Sequence, residues 1–260
     1  MSLPRAGLAL AVMMALVACA ASGGSAPRPT AKSHESSPAN DAAALQIKLG
    51  RGYMEKGEYE TAHDKLERAI ELDPKSVDAQ TLMAVLFEQI DRPQFAEKHY
   101  RRAVELDPED GSTNNNFGAY LCRLGRFDEA DGYFQRALRD PFYKTPGAAY
   151  SNAGLCAARA GDAQKSEAYF RKALEANPND AAALYELAMT SFRKSDNMRA
   201  RAFFQRFEAV SSLDASALDF AAQIEERLGD TAAAAKYRAR LKTEFPDYEP
   251  RAITQGSNSP

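Results

Sequence analysis

The sequence predicts an all-α protein, a right-handed superhelical solenoid of about six helix–turn–helix repeats. The 260 residues contain no Trp, and no strand-like alternation of apolar and polar residues occurs in them. A pattern of a small residue, a glycine turn and evenly spaced apolar residues recurs with a period near 34 residues. One unit of that length cannot bury its apolar face alone, so neighbouring units must stack.

The clearest unit runs from Asn114 to Leu138. Gly118 lies on its first helix and Gly125 at its turn, and Ala130 and Phe134 fall on one face of its second helix. The Ala130 position recurs at steps of 34, 34, 36, 34 and 34 residues: Ala62, Ala96, Ala130, Ser166, Ala200 and Ala234. The turn position recurs with it: Gly57, Asp91, Gly125, Gly161, Ser195 and Gly229. The pattern resembles the tetratricopeptide repeat (TPR).

Prolines that end the second helices help to set the repeat boundaries, because proline cannot continue a helix. They are Pro74, Pro108, Pro178 and Pro246. The predicted TPR solenoid spans 43–248, with repeats at 43–76, 77–110, 111–146, 147–180, 181–214 and 215–248. The fifth and sixth repeats depart from the pattern, and we interpret the sixth, with Arg238 at its aromatic position, as a cap.

The N-terminus has the layout of a secretory signal, with Arg5 followed by a short apolar run. The run ends in Leu16-Val17-Ala18-Cys19, which resembles a bacterial lipobox. The resemblance implies a lipoprotein signal peptide at 1–18 and an acylated Cys19 that carries palmitate or a similar chain. Ala20, rather than Asp, implies the periplasmic face of the outer membrane. The alternative is an ordinary secretory signal.

Small and polar residues without an apolar period follow the signal, and they predict a flexible tether over 19–42. The composition of 249–260 predicts a disordered tail.

Chemistry and charge exclude several function classes. The net charge of −3 is spread with mixed signs, so we expect no nucleic-acid partner. His34, His63 and His99 stand in no metal-ligand spacing. No phosphate loop, nucleophile elbow or catalytic Cys–His arrangement occurs. We therefore expect no enzyme, no cofactor, no metal and no small-molecule substrate.

Cys122 and Cys156 lie on the first helices of neighbouring repeats, in a compartment that allows disulfides. Their repeat positions differ by two, which corresponds to about 200° around a helix. The favoured interpretation is therefore two buried thiols, with a disulfide as the alternative.

The first helices should line a concave binding surface. The sixth position of a repeat is Asn116 or Asn152, and the thirteenth is Arg123, Arg159 or Arg193. Positions seven apart share a helix face, so amides and guanidinium groups could together bind an extended peptide. Asn115 is assigned to the same surface. The alternative is that these side chains cap or bridge adjacent helices.

An apolar stripe on the fifth repeat consists of Tyr185, Met189 and Phe192, at helical spacing. Such a stripe is typical of core, but if exposed it would form a groove for an apolar peptide or an amphipathic helix.

The combination of lipobox, short tether and six repeats resembles the PilF/PilW family of type IV pilus biogenesis lipoproteins. The segments that carry the resemblance are Asn115–Gly118 with Leu121, Arg126–Ala130, Asn152–Leu155, Ala168–Phe170 with Lys172, and Ala200–Phe204 with Phe207. The resemblance implies a pilotin, which binds the pilus secretin and promotes its outer-membrane localisation and multimerisation. One alternative is a periplasmic scaffold for outer-membrane or cell-envelope assembly. Another is an accessory subunit of an enzyme.

Overall fold

The computed structural model describes residues 38–249, which form twelve α-helices and no β-strand. The helices are α1 Pro38–Glu55, α2 Tyr59–Leu72, α3 Val77–Gln89, α4 Pro93–Leu106, α5 Gly111–Arg123, α6 Phe127–Ala137, α7 Pro146–Arg159, α8 Ala163–Ala176, α9 Ala181–Arg193, α10 Asn197–Glu208, α11 Ala215–Leu228 and α12 Thr231–Glu244. They pack as six consecutive pairs, and the first helix of each pair also contacts the first helix of the next from α1 through α9. The predicted all-α solenoid is confirmed.

The turn inside each pair needs a residue with positive φ. The six positions named from the sequence all have it, the glycines at φ 75 to 84° and the two substitutes, Asp91 and Ser195, at 55° and 60°. Glycine adopts this left-handed conformation at little cost, and Asp tolerates it better than most residues. The turn is thus set by the local sequence in all six repeats.

Three of the connections between pairs end in an aspartate that caps the next helix. Asp110, Asp180 and Asp214 each accept a hydrogen bond from the third backbone N–H of the helix that they precede, at 2.6 to 2.9 Å. Such caps satisfy N–H groups that have no partner within the helix. They fix the residue at which α5, α9 and α11 each begin.

In the third and fourth pairs, a glycine on the first helix packs against an aromatic ring on the second. A Cβ on Gly118 would lie 2.9 Å from the Phe134 ring, and one on Gly154 would lie 2.8 Å from the Phe170 ring. Both rings are fully buried. The sixth repeat differs, because Arg238 stands at the aromatic position and forms ion pairs with Asp219 and Glu226.

Several predictions about the chain ends fall outside the described residues: the signal peptide at 1–18, Cys19, the tether up to residue 37 and the tail from residue 250. Helix α1 begins at Pro38 rather than at residue 43, so the last residues assigned to the tether are helical. Between residues 38 and 249, no helix combines the length and apolarity that a bilayer crossing requires.

Candidate protein-binding surface

The side chains that α3, α5, α7, α9 and α11 direct away from the second helices form one continuous surface, which we call the first-helix face. A cleft of about 500 Å³ lies at its centre, and we call it the amide cleft. The cleft is lined by Val85, Glu88, Gln89, Tyr100, Asn116, Ala119, Arg123 and Asn152. It therefore brings together three residues that the sequence singled out: Asn116, Arg123 and Asn152.

The Asn residues divide into bridging and free amides. Asn152 on α7 donates from Nδ2 to Oδ1 of Asn115 on α5 at 3.0 Å, and Asn115 is buried. These two side chains thus bridge adjacent first helices, as the alternative interpretation held. Asn116 is half-buried in the cleft, and its side-chain amide makes no hydrogen bond to residues 38–249. Its amide can donate to and accept from a peptide backbone.

The arginine at the cleft edge is held by an acid from the preceding repeat. Arg123 pairs with Glu88 on α3, and the Tyr100 hydroxyl donates to the same carboxylate. Burial and the charge of Glu88 raise the pKa of the Tyr100 hydroxyl, so it stays a hydrogen-bond donor. The edge carries one charge of each sign and is close to neutral.

Two other arginines at the thirteenth position cap neighbouring helices. Arg159 donates to the backbone oxygen of Arg123 at 3.4 Å, and Arg227 donates to that of Phe192 at 3.1 Å. Carbonyls at a helix C-terminus lack partners within the helix and favour a cation. The Arg193 side chain, by contrast, is exposed and forms no hydrogen bond or ion pair within 38–249. Burial raises the pKa of Glu186, and the charge of Arg193 partly opposes that rise.

The apolar stripe of the fifth repeat is only partly exposed. Phe192 is 1% exposed, packs against Phe220 at a ring distance of 5.3 Å and lies under the Arg227 guanidinium. Its assignment to a partner-binding surface is wrong, because it points into the interface between repeats five and six. Tyr185 and Met189 are half-buried and reach the first-helix face.

Cys122 and Cys156 form a disulfide with a Cα–Cα distance of 5.6 Å, so the prediction of two free thiols is wrong. A difference of about 200° between the two positions is compatible with this disulfide. When two similar helices stack side by side, a residue that points forward from one meets a residue that points backward from the next. Opposite directions are therefore what a cross-link between α5 and α7 requires.

Repeat register could have revealed two residues that were missed. Glu186 occupies the sixth position of the fifth repeat, as Asn116 and Asn152 do in theirs, and it lines the first-helix face. Arg227 occupies the thirteenth position of the sixth repeat. Glu88 has no such signal, because it is defined by its contact with the next repeat.

Among residues 38–249, one group of three side chains brings potential metal-ligand atoms close together. His63, Asp64 and Glu67 bring one such atom each within 4.8 Å, on a single turn of α2. Asp64 and Glu67 are exposed, and acidic groups of this kind are common on helix surfaces. We assign no metal site here.

Comparison with known proteins identifies the family of this chain. The tetratricopeptide repeat model matches residues 47–111 and 117–181, and a second model of the same description matches 169–202. The crystal structure of PilW, a widely conserved type IV pilus biogenesis factor, superposes with a TM-score of 0.73 at 33% identity, covering 81% of this chain and 97% of PilW. The chain belongs to the PilF/PilW family of type IV pilus biogenesis proteins.

The relatives match along nearly their whole length. The type IV pilus assembly protein PilF of Pseudomonas aeruginosa is 29% identical over 242 residues, which cover 93% of this chain and 94% of that protein. The structure of P. aeruginosa PilF superposes with a TM-score of 0.77 at 28% identity, covering 82% of this chain and 96% of its own. The tetratricopeptide repeat is a protein-interaction scaffold and not a known enzyme family.

Proposed function

We propose that this protein is a pilotin: a lipoprotein that binds the type IV pilus secretin without covalent chemistry and promotes its localisation and multimerisation in the outer membrane. The observation that carries the proposal is the amide cleft in a protein of the PilF/PilW family. The unpaired Asn116 amide and the neutral Glu88–Arg123 edge suit the backbone of an extended segment of the partner. The Asn116 side chain makes no hydrogen bond within the described residues, so it is available to a partner.

The anchoring part of the proposal rests on the lipobox. We propose that Cys19 is acylated and holds the protein on the periplasmic face of the outer membrane. Each buried acyl methylene contributes about 0.8 kcal/mol, so more than one chain gives a lasting anchor. The segment between Cys19 and α1 would let the solenoid reach a partner away from the membrane surface.

The test compares secretin multimer in outer-membrane fractions from cells that lack the protein with that in cells that express single variants. Cys19→Ala should reduce the multimer to the level of the deletion. Asn116→Ala should reduce it without lowering the melting temperature, because the Asn116 side chain makes no hydrogen bond to residues 38–249.

The matched control is Asn179→Ala, which removes an exposed amide from the loop between α8 and α9. It should leave the multimer intact. Full multimer in the deletion strain would refute the pilotin proposal and favour a scaffold for other envelope complexes. If Asn116→Ala and Asn179→Ala reduced the secretin multimer equally, the amide cleft would not be the surface that binds the secretin.

A further inference from the structure

A second recessed region lies at the C-terminal end of the first-helix face. It consists of two adjoining depressions of about 350 and 680 Å³ that share Tyr185 and Ser216. We call it the aromatic cleft. The smaller depression is lined by Leu155, Ala181, Ala182, Tyr185, Glu186, Phe207, Ser211, Ser212, Asp214, Ser216 and Ala217, and the larger by Tyr185, Met189, Ser216, Asp219, Asp247, Tyr248 and Glu249.

The side chain of Tyr185 lines both depressions, and its ring packs against two other aromatic rings. Tyr185 contacts Phe207 at a ring distance of 5.1 Å and Phe220 at 5.6 Å, the latter edge to face. Burial and neighbouring acids raise the pKa of the Tyr185 hydroxyl to about 12, so it stays protonated. Leu155, 37% exposed, adds apolar surface to the smaller depression. A bulky apolar side chain could pack here against a fixed aromatic wall.

The charges around this wall have one sign. The residues that line the two depressions include Glu186, Asp214, Asp219, Asp247 and Glu249 and no Lys or Arg. Two of these carboxylates already have structural partners, because Arg238 pairs with Asp219 and Asp214 caps α11.

Glu186 remains without a partner. Its carboxylate forms no hydrogen bond or ion pair within residues 38–249, although the side chain is half-buried beside Tyr185. Burial raises the pKa of its carboxyl group, and the more distant Arg193 opposes that effect. A half-buried carboxylate gains much from a bound cation, because an ionic hydrogen bond there offsets the cost of lost hydration.

We propose that the aromatic cleft binds a segment of a partner protein in which a Lys or Arg stands next to a bulky apolar residue. The apolar side chain packs between Leu155 and Tyr185, and the cation pairs with Glu186. The face of the Tyr185 ring offers the same cation a second favourable contact. This inference deepens the proposed function and rests on it only for the identity of the protein that supplies the segment.

The test uses synthetic peptides, so that it does not depend on the secretin. Four fluorescein-labelled peptides of equal length carry Lys–Phe, Gln–Phe, Glu–Phe or Lys–Ser pairs in a Gly-Ser background. Binding to the full chain is followed by fluorescence anisotropy at low salt. The Lys–Phe peptide should bind at least tenfold more tightly than each of the others, since both the charge and the ring are needed.

The decisive variant is Glu186→Gln, with Glu175→Gln as its control. Glu175 is exposed on α8 and makes no ion pair among residues 38–249, so both substitutions change the net charge equally. Glu186→Gln should weaken binding of the Lys–Phe peptide about tenfold and abolish most of its salt dependence. Glu175→Gln should change neither the affinity for the Lys–Phe peptide nor its salt dependence by more than about twofold. Equal effects of the two variants, or equal binding of the Lys–Phe and Glu–Phe peptides, would overturn the proposal.

A separate variant tests the proposed packing of the apolar side chain against Leu155. Leu155→Ser removes exposed apolar surface and should weaken the Lys–Phe peptide about tenfold without lowering the melting temperature by more than a few degrees. Unchanged affinity would overturn the assigned packing position.

The peptide and secretin experiments fail independently. Lys–Phe selectivity that depends on Glu186, combined with full multimer in the deletion strain, would support the inference and refute the pilotin proposal. Multimer that depends on the protein, combined with no Lys–Phe selectivity, would refute the inference and leave the proposed function intact.

Discussion

The amide cleft and the aromatic cleft occupy the same face of the same repeat architecture, yet their supports differ in kind. Beneath the amide cleft, α5 and α7 are joined by the Cys122–Cys156 disulfide and by the bridging amides Asn115 and Asn152. Beneath the aromatic cleft, the helices are joined by ion pairs whose acids are nearly or fully buried: Arg238 with Asp219 and Arg201 with Glu225.

The difference teaches how one scaffold can carry two surfaces of unlike chemistry. The covalent and amide links carry no charge, and the Glu88–Arg123 pair at the edge has one charge of each sign, so the central cleft carries no net charge. Ionic links place carboxylates on α11, close to the acids that line the second cleft. We therefore expect the central junction to respond to reductant and the C-terminal junction to respond to the loss of single charges.

The largest expected effect comes from Arg238→Ala. This substitution leaves the Asp219 carboxylate, 3% exposed, without its cation. A buried charge stripped of its partner costs about 3–5 kcal/mol in the free energy of unfolding. Urea denaturation should show the loss, and the second substitution Asp219→Asn should restore part of it. Arg102→Ala, which breaks an exposed pair with Glu105, should cost less than about 1 kcal/mol.

The double substitution Cys122→Ala with Cys156→Ala should have the next largest effect. The disulfide closes a segment with a sequence separation of 34, for which chain entropy predicts a stabilisation of about 3–4 kcal/mol. Dithiothreitol should lower the denaturation midpoint of the wild type and leave that of the variant unchanged. If complete reduction left the denaturation midpoint of the wild type unchanged, the disulfide would not stabilise the junction between α5 and α7.

A substitution on α7 tests the packing of the helix that supplies Asn152 to one cleft and Leu155 to the other. Gly154→Ala places a methyl group 2.8 Å from the Phe170 ring and should cost about 1–3 kcal/mol. Gly132→Ala on α6 meets no atom within 4 Å and should instead gain about 0.5–1 kcal/mol. Thermal denaturation distinguishes the two, and equal melting temperatures would contradict this packing.

The smallest effect, and one with a defined pH dependence, belongs to Glu186→Gln. Burial raises the pKa of Glu186 in the folded state above its ordinary value of 4.5, so the folded state binds the proton more tightly than the unfolded state. Stability therefore falls as pH rises from about 4.5 through the raised pKa, and the cost persists at neutral pH.

Glu186→Gln removes this cost. Its melting temperature should exceed that of the wild type at pH 7 and match it at pH 3, where the carboxyl group is protonated in both states. Glu175→Gln should show no such difference between the two pH values. A Glu186→Gln variant that is less stable than the wild type at pH 7 would indicate an ionic partner for Glu186 in the folded protein.

The sequence by itself determined the repeat, because its signals are local. Positive φ at Gly57, Asp91 and the other turn positions, and a small residue such as Gly118 opposite an aromatic such as Phe134, are consequences of residues close together in the chain. The period also predicts which positions share a helix face, and in the third repeat Asn116 and Arg123, at the sixth and thirteenth positions, line one cleft.

Only the tertiary structure decided which of those side chains are free. Asn116 and Asn152 occupy the same repeat position, yet only Asn152 bridges to the neighbouring helix. Phe192 and Tyr185 belong to one stripe, yet only Phe192 is enclosed by the next repeat. The pairing of Cys122 with Cys156 depends likewise on how one first helix is rotated against the next. Repeat position gives the direction of a side chain from its own helix, whereas its burial and partners depend on the angle and distance of the following repeat.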